Sequence, residues 1–109
     1  TMEYFIHHED VRRADGRPPR DLYPDLEDQL WDIIARMGKL MLRSAPCGVT
    51  LRSTGGRTVV ANGAFPRVSA RGRVGELALF IYGRQNAAQV ELLGDEAAVA
   101  ALLTADLGL

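Results

Sequence analysis

Val74-Gly75-Glu76-Leu77-Ala78-Leu79-Phe80-Ile81-Tyr82-Gly83-Arg84 is the stretch on which the fold turns. It is apolar at most positions and reads as a short helix that Gly83 stops. Before it, entered through Pro66, Arg67-Val68-Ser69-Ala70-Arg71 alternates with period two, the pattern of a half-buried strand. After it, Gln89-Val90-Glu91-Leu92 reads as a further strand. Gly94-Asp95 then opens a last helix, with Asp95 as N-cap and Ala97, Val99, Ala100, Leu102 and Leu103 as its apolar residues.

Two more strands lie upstream. Val49-Thr50-Leu51-Arg52 and Thr58-Val59-Val60-Ala61 flank Thr54-Gly55-Gly56, a hairpin turn signal. A long helix over roughly residues 24–43 precedes them. Pro24 suits its first position, and Asp25, Glu27 and Asp28 load its first turn with acid. Leu26, Leu30, Ile33, Ile34, Met37, Leu40 and Met41 form a wide apolar stripe at helical spacing. That stripe serves equally as core or as the wall of a lipid tunnel. The order α-β-β-β-α-β-α has clustered strands and segregated helices. It predicts an α+β domain, a largely antiparallel sheet with helices covering one face.

The 109 residues fit one domain, or one domain plus a remnant. Thirteen basic and 14 acidic residues give a net charge of -1, which argues against a dedicated nucleic-acid binder. No apolar run approaches the roughly 20 residues of a membrane span. Cys47 is the only cysteine, so no intrachain disulfide forms, which fits a reducing cytoplasm.

The N-terminal segment Glu3-Tyr4-Phe5-Ile6-His7-His8-Glu9-Asp10 carries the sharpest chemical signal. Glu3 and His7 are four residues apart, so a helix stacks both on one face, where they can point at one ion. Zinc takes imidazole nitrogen and carboxylate oxygen, but an open site needs three protein ligands. An ordinary surface ion pair has the same spacing. Residues 1–15 read as the end of a helix whose earlier part, and earlier domain, are missing. Arg12 and Arg13 occupy its last turn and Asp15-Gly16 ends it. Residues 16–22, around Gly16-Arg17-Pro18-Pro19-Arg20, read as a stiff linker to a domain at 23–109. The arginines of this connector are diluted by Asp10, Asp15 and Asp21, which weakens a nucleic-acid reading.

The run from the third strand through Glu-Leu-Ala-Leu-Phe-Ile-Tyr-Gly-Arg (residues 76–84) to Gly-Asp-x-x-x-Val-x-x-Leu-Leu (residues 94–103) resembles the sterol-carrier-protein-2-like fold. The Glu-x-x-x-His-His-x-Asp segment and the Pro-rich connector ahead of it look like the actinobacterial mycothiol-dependent maleylpyruvate isomerase family. The match is nearer to that family's uncharacterised metal-binding relatives, through His7-His8-Glu9-Asp10-Val11-Arg12-Arg13-Ala14. The resemblance implies that Glu3 and His7 are two ligands of a divalent metal, usually zinc, at the end of a DinB-like four-helix bundle. The third ligand, a histidine of an earlier helix, has no counterpart in this chain, so the fragment alone is expected to be inactive. It further implies a metal that activates mycothiol, a small-molecule thiol, toward an electrophilic substrate. The partner is then the N-terminal helical bundle of the same protein, with a homodimer also open.

Four further residues have two readings each. His8, on another face, is a substitute ligand or a surface histidine. Asp10, three residues after His7, orients its free ring nitrogen or bridges to Arg12 or Arg13. Arg84 holds an anionic group of substrate or cofactor, or is a charge at a helix C-terminus. Cys47, flanked by Pro46 and Gly48, has no base nearby in sequence and reads as a packed thiol. Besides the metal-site reading, the domain is consistent with a lipid or apolar-ligand module, or with a structural or dimerising role.

Overall fold

Pro24 opens a helix because its fixed φ fits the first turn and its missing N–H is not needed there. In the computed structural model, which describes residues 2–14 and 23–107, that helix is α2 (Pro24–Met41). It is preceded by α1 (Met2–Ala14) and followed by β1 (Gly48–Ser53), β2 (Thr58–Asn62), β3 (Arg67–Gly72), α3 (Val74–Ile81), β4 (Glu91–Gly94) and α4 (Glu96–Thr104). The element order is as the pattern predicts. β4 starts two residues later than Gln89, and α2 ends before residue 43. The linker expected over residues 16–22 lies outside the described residues.

The sheet runs β2-β1-β3-β4 and is mixed. β1 pairs antiparallel with β2, and β3 antiparallel with β4. β1 and β3 are parallel, with Val49 beside Val68 and Leu51 beside Ala70. This refines the expectation of a largely antiparallel sheet. The link over residues 63–66 is short enough to suggest a hairpin from β2 to β3. Instead the chain crosses the start of β1 and lays β3 on its far side. Gly48 makes the crossing possible: a Cβ there would lie 2.0 Å from the carbonyl oxygen of Ala64. Its N–H donates to the Pro66 carbonyl at 2.9 Å.

One face of the sheet is apolar. Val49, Leu51, Ala61, Val68 and Ala70 are buried and share one core with Leu30, Ile34 and Met41 of α2, Val74 and residues 77–81 of α3, and Ala98 and Leu102 of α4. α2 runs close to the sheet at Gly38, where a Cβ would make ordinary van der Waals contact with a methyl of Leu51 at 3.4 Å and with Ala61 at 3.5 Å. The stripe read on α2 is thus its core-facing side, although Leu40 is half-exposed and Trp31 is buried in addition. Asp95 caps α4 by accepting from the Ala98 N–H at 3.1 Å, as its position before the apolar run predicts. α1 packs against α3 through Met2, Phe5 and Ile6, all buried. No described helix is long and apolar enough to cross a membrane.

Candidate functional site

Two of the side chains singled out in the sequence, Asp10 and Arg84, meet at the junction between α1 and the end of α3. The backbone makes this junction in three steps. First, α3 closes in a Schellman motif: Arg84 N–H donates to the Leu79 carbonyl at 2.9 Å and Gly83 N–H to the Phe80 carbonyl at 3.2 Å. Second, that motif needs a left-handed residue, which Gly83 supplies with φ +85°. Third, the following loop is tied down. Ala88 N–H bonds to the Arg84 carbonyl at 3.0 Å and Gln89 N–H to the buried Glu76 carboxylate at 2.9 Å. The amide of Gln85 donates to the Ala105 carbonyl at 2.7 Å, past the end of α4.

Arg84 is thereby aimed at α1. Its Nη2 lies 2.9 Å from Oδ2 of Asp10, its Nε 3.3 Å from both carboxylate oxygens, and its Nη1 donates to the Tyr82 carbonyl at 2.7 Å. Both side chains are about one-third exposed. Arg84 therefore satisfies a carbonyl at the helix end, as one reading of it expects, and the carboxylate it holds belongs to the protein itself and not to a substrate or cofactor.

The adjacent Glu9 is 1% exposed and accepts from Nη1 of Arg12 at 3.0 and 3.2 Å. A carboxylate this deep requires such charge-assisted bonds to offset its lost hydration. Of the two arginines expected to bridge to Asp10, Arg12 goes to Glu9, while Asp10 meets Arg84 across the fold; the side chain of Arg13 lies outside the described residues.

His7 and His8 are exposed. Met2, Phe5, Ile6 and Glu9 mark the buried side of α1. Helical spacing puts positions 3, 7 and 10 together on one flank of it, with His8 on the opposite flank. Glu3 lies on α1, but its side chain is outside the described residues. Among the described residues no three His, Cys, Asp or Glu side chains gather into a group able to hold a metal.

Cys47 is 1% exposed at the entry to β1, with its sulfur 3.9 Å from the Ala98 carbonyl. Burial pushes the thiol pKa up from its ordinary value. It is a packed thiol, the opposite of an activated nucleophile.

The structure also shows what the sequence reading missed. Arg52 and Arg71 stand side by side on the exposed face of the sheet. The alternation of the two strands places both outward, but their adjacency depends on the parallel β1–β3 pairing.

Comparison with protein-family models, with curated proteins and with solved structures finds no match to this chain.

Proposed function

We propose that this chain is a sterol-carrier-like α+β domain that fixes a metal-ligating helix, α1, in a divalent-metal-binding protein of the mycothiol-dependent isomerase and transferase kind. The observation that carries this reading is the way α1 is docked. Its apolar side is buried, Asp10 is clasped by Arg84, and the His7 imidazole is left exposed on the flank that position 3 shares.

In this reading Glu3 and His7 are two donors, with His8 the weaker candidate because it lies on the other flank. The remaining donors come from a helical bundle of the same protein. A divalent ion held by these donors would supply the chemistry of lowering a coordinated thiol's pKa, which would let a small-molecule thiol act as the nucleophile toward an electrophilic substrate. Arg84 acts as a positioning residue: through Asp10 it sets the rotation of α1, and so the direction of the His7 ring. Zinc is the favoured metal, because imidazole and carboxylate together suit it, and the setting is cytoplasmic.

The test is elemental analysis of the longest natural form of the protein, purified without chelator, beside His7→Ala. Near-stoichiometric divalent metal that is lost in the variant supports the site. Absence of metal from the parent protein, or its full retention in His7→Ala, overturns the reading.

A further inference from the structure

We propose that the open face of the sheet docks a short acidic, amphipathic segment of a partner protein. All the buried strand residues that meet the helices lie on one side, so the alternate positions form a second surface. Across the middle of that surface Val60, Thr50, Ser69 and Leu93 stand in register. Val60 is 42% and Leu93 51% exposed at its two ends. Arg67 lies two residues to one side of this row, and Arg52 and Arg71 two residues to the other; all three are exposed.

Arg52 and Arg71 are in register on adjacent parallel strands. Neighbouring strands are only about 4.8 Å apart, and like charges placed directly opposite are destabilising. Among the described residues neither arginine has an acidic partner in an ion pair. Glu91, opposite Arg71, is the one acid among the face positions named here. A surface that sets three exposed arginines against one glutamate, beside two exposed aliphatic side chains, keeps a basic excess complementary to carboxylates flanking an apolar stripe.

The same features disfavour other occupants. A two-fold dimer through this face sets its arginine rows against each other. Three strand spacings by five residues give a face of roughly 240 Å², well below the roughly 800 Å² per partner of a standard stable interface. For a nucleic acid, the net charge of -1 provides no steering field.

The probe is a short synthetic helical peptide with glutamates flanking a leucine stripe, titrated into isotope-labelled protein. Amide shifts confined to Thr50, Arg52, Ser69, Arg71 and Leu93 are expected, and affinity should fall about tenfold in Arg71→Ala. Arg52→Glu should lose binding while its thermal midpoint stays level or rises, because the like-charge pair becomes an opposite-charge one. That result separates lost recognition from lost folding. Shifts on the helical side, or equal affinity in both variants, overturn the proposal. So does tighter binding of single-stranded oligothymidylate with the same sensitivity to Arg52→Glu.

Discussion

Asp10 of α1 and Arg84 beyond α3 meet at 2.9 Å across 74 residues of chain, and this pair defines how the N-terminal helix sits on the domain. Its geometry is inherited from the backbone. Arg84 occupies the residue after a left-handed glycine, in a loop held at both ends, so little side-chain freedom remains to be lost when the pair forms. Asp10 is held by a helix whose apolar side is already buried. The pair therefore selects one rotation of α1 and adds modestly to its stability.

A double-mutant cycle on Asp10→Asn and Arg84→Gln should measure a coupling of about 0.5–1 kcal/mol, since both groups are partly exposed and water screens them. The informative readout is local. Amide hydrogen exchange in α1 should speed up in both single variants, and no further in the double variant, while β1 and β3 keep their protection. Additive effects in the cycle would mean that the two charges act separately.

Gly83→Ala should cost about 2 kcal/mol or more. The left-handed conformation alone costs about 1–2 kcal/mol for an L-residue, and a Cβ at this position meets the Leu107 carbonyl oxygen at 2.8 Å. Because the same glycine aims Arg84, the Asp10–Arg84 coupling should also shrink when the cycle is repeated in the Gly83→Ala background. Denaturant unfolding gives the first quantity and the repeated cycle the second.

The elements were legible because each has a local cause. Pro24, the α2 stripe, the Thr54-Gly55-Gly56 turn and Asp95 announce themselves within a few residues. The α+β class follows from their order. The parallel pairing of β1 with β3 was not legible, because it rests on a backbone crossing at Gly48 that no periodicity records. Asp10–Arg84 and Arg52–Arg71 were hidden for the same reason, since each brings together residues far apart in sequence. The spacing of Glu3 and His7 could be read directly, but spacing names a flank of a helix and not what else faces it.

Gly48 and Gly63 both border the crossover and should respond in opposite ways to the same substitution. At Gly48 a methyl would overlap the Ala64 carbonyl, with backbone on both sides of the clash. Gly48→Ala should therefore lose about 3 kcal/mol or more, in the range reserved for steric disruption of the core. At Gly63 nothing lies within 4 Å and φ is not positive, so Gly63→Ala should change stability by less than about 0.5 kcal/mol. Thermal midpoints of the two variants, measured side by side, test whether the crossing and not general loop flexibility requires the glycine.

Cys47 sets an expectation for alkaline pH. Burial raises its pKa in the folded protein above the ordinary thiol value of 9.0 that the unfolded chain keeps. Below that value both folded and unfolded chains carry the neutral thiol, and the residue adds no pH dependence. As the pH climbs through it, the unfolded chain releases the proton while the folded one retains it, so stability must fall with rising pH. Cys47→Ala removes the titrating group, at a packing cost that does not vary with pH. The stability difference between parent and variant should be constant at neutral pH and narrow above pH 9.0. In parallel, a thiol reagent at neutral pH should modify native Cys47 far more slowly than the denatured chain, because reaction waits for both exposure and deprotonation. Fast labelling of the native protein would show that the thiol is reachable and place it back among the candidate nucleophiles.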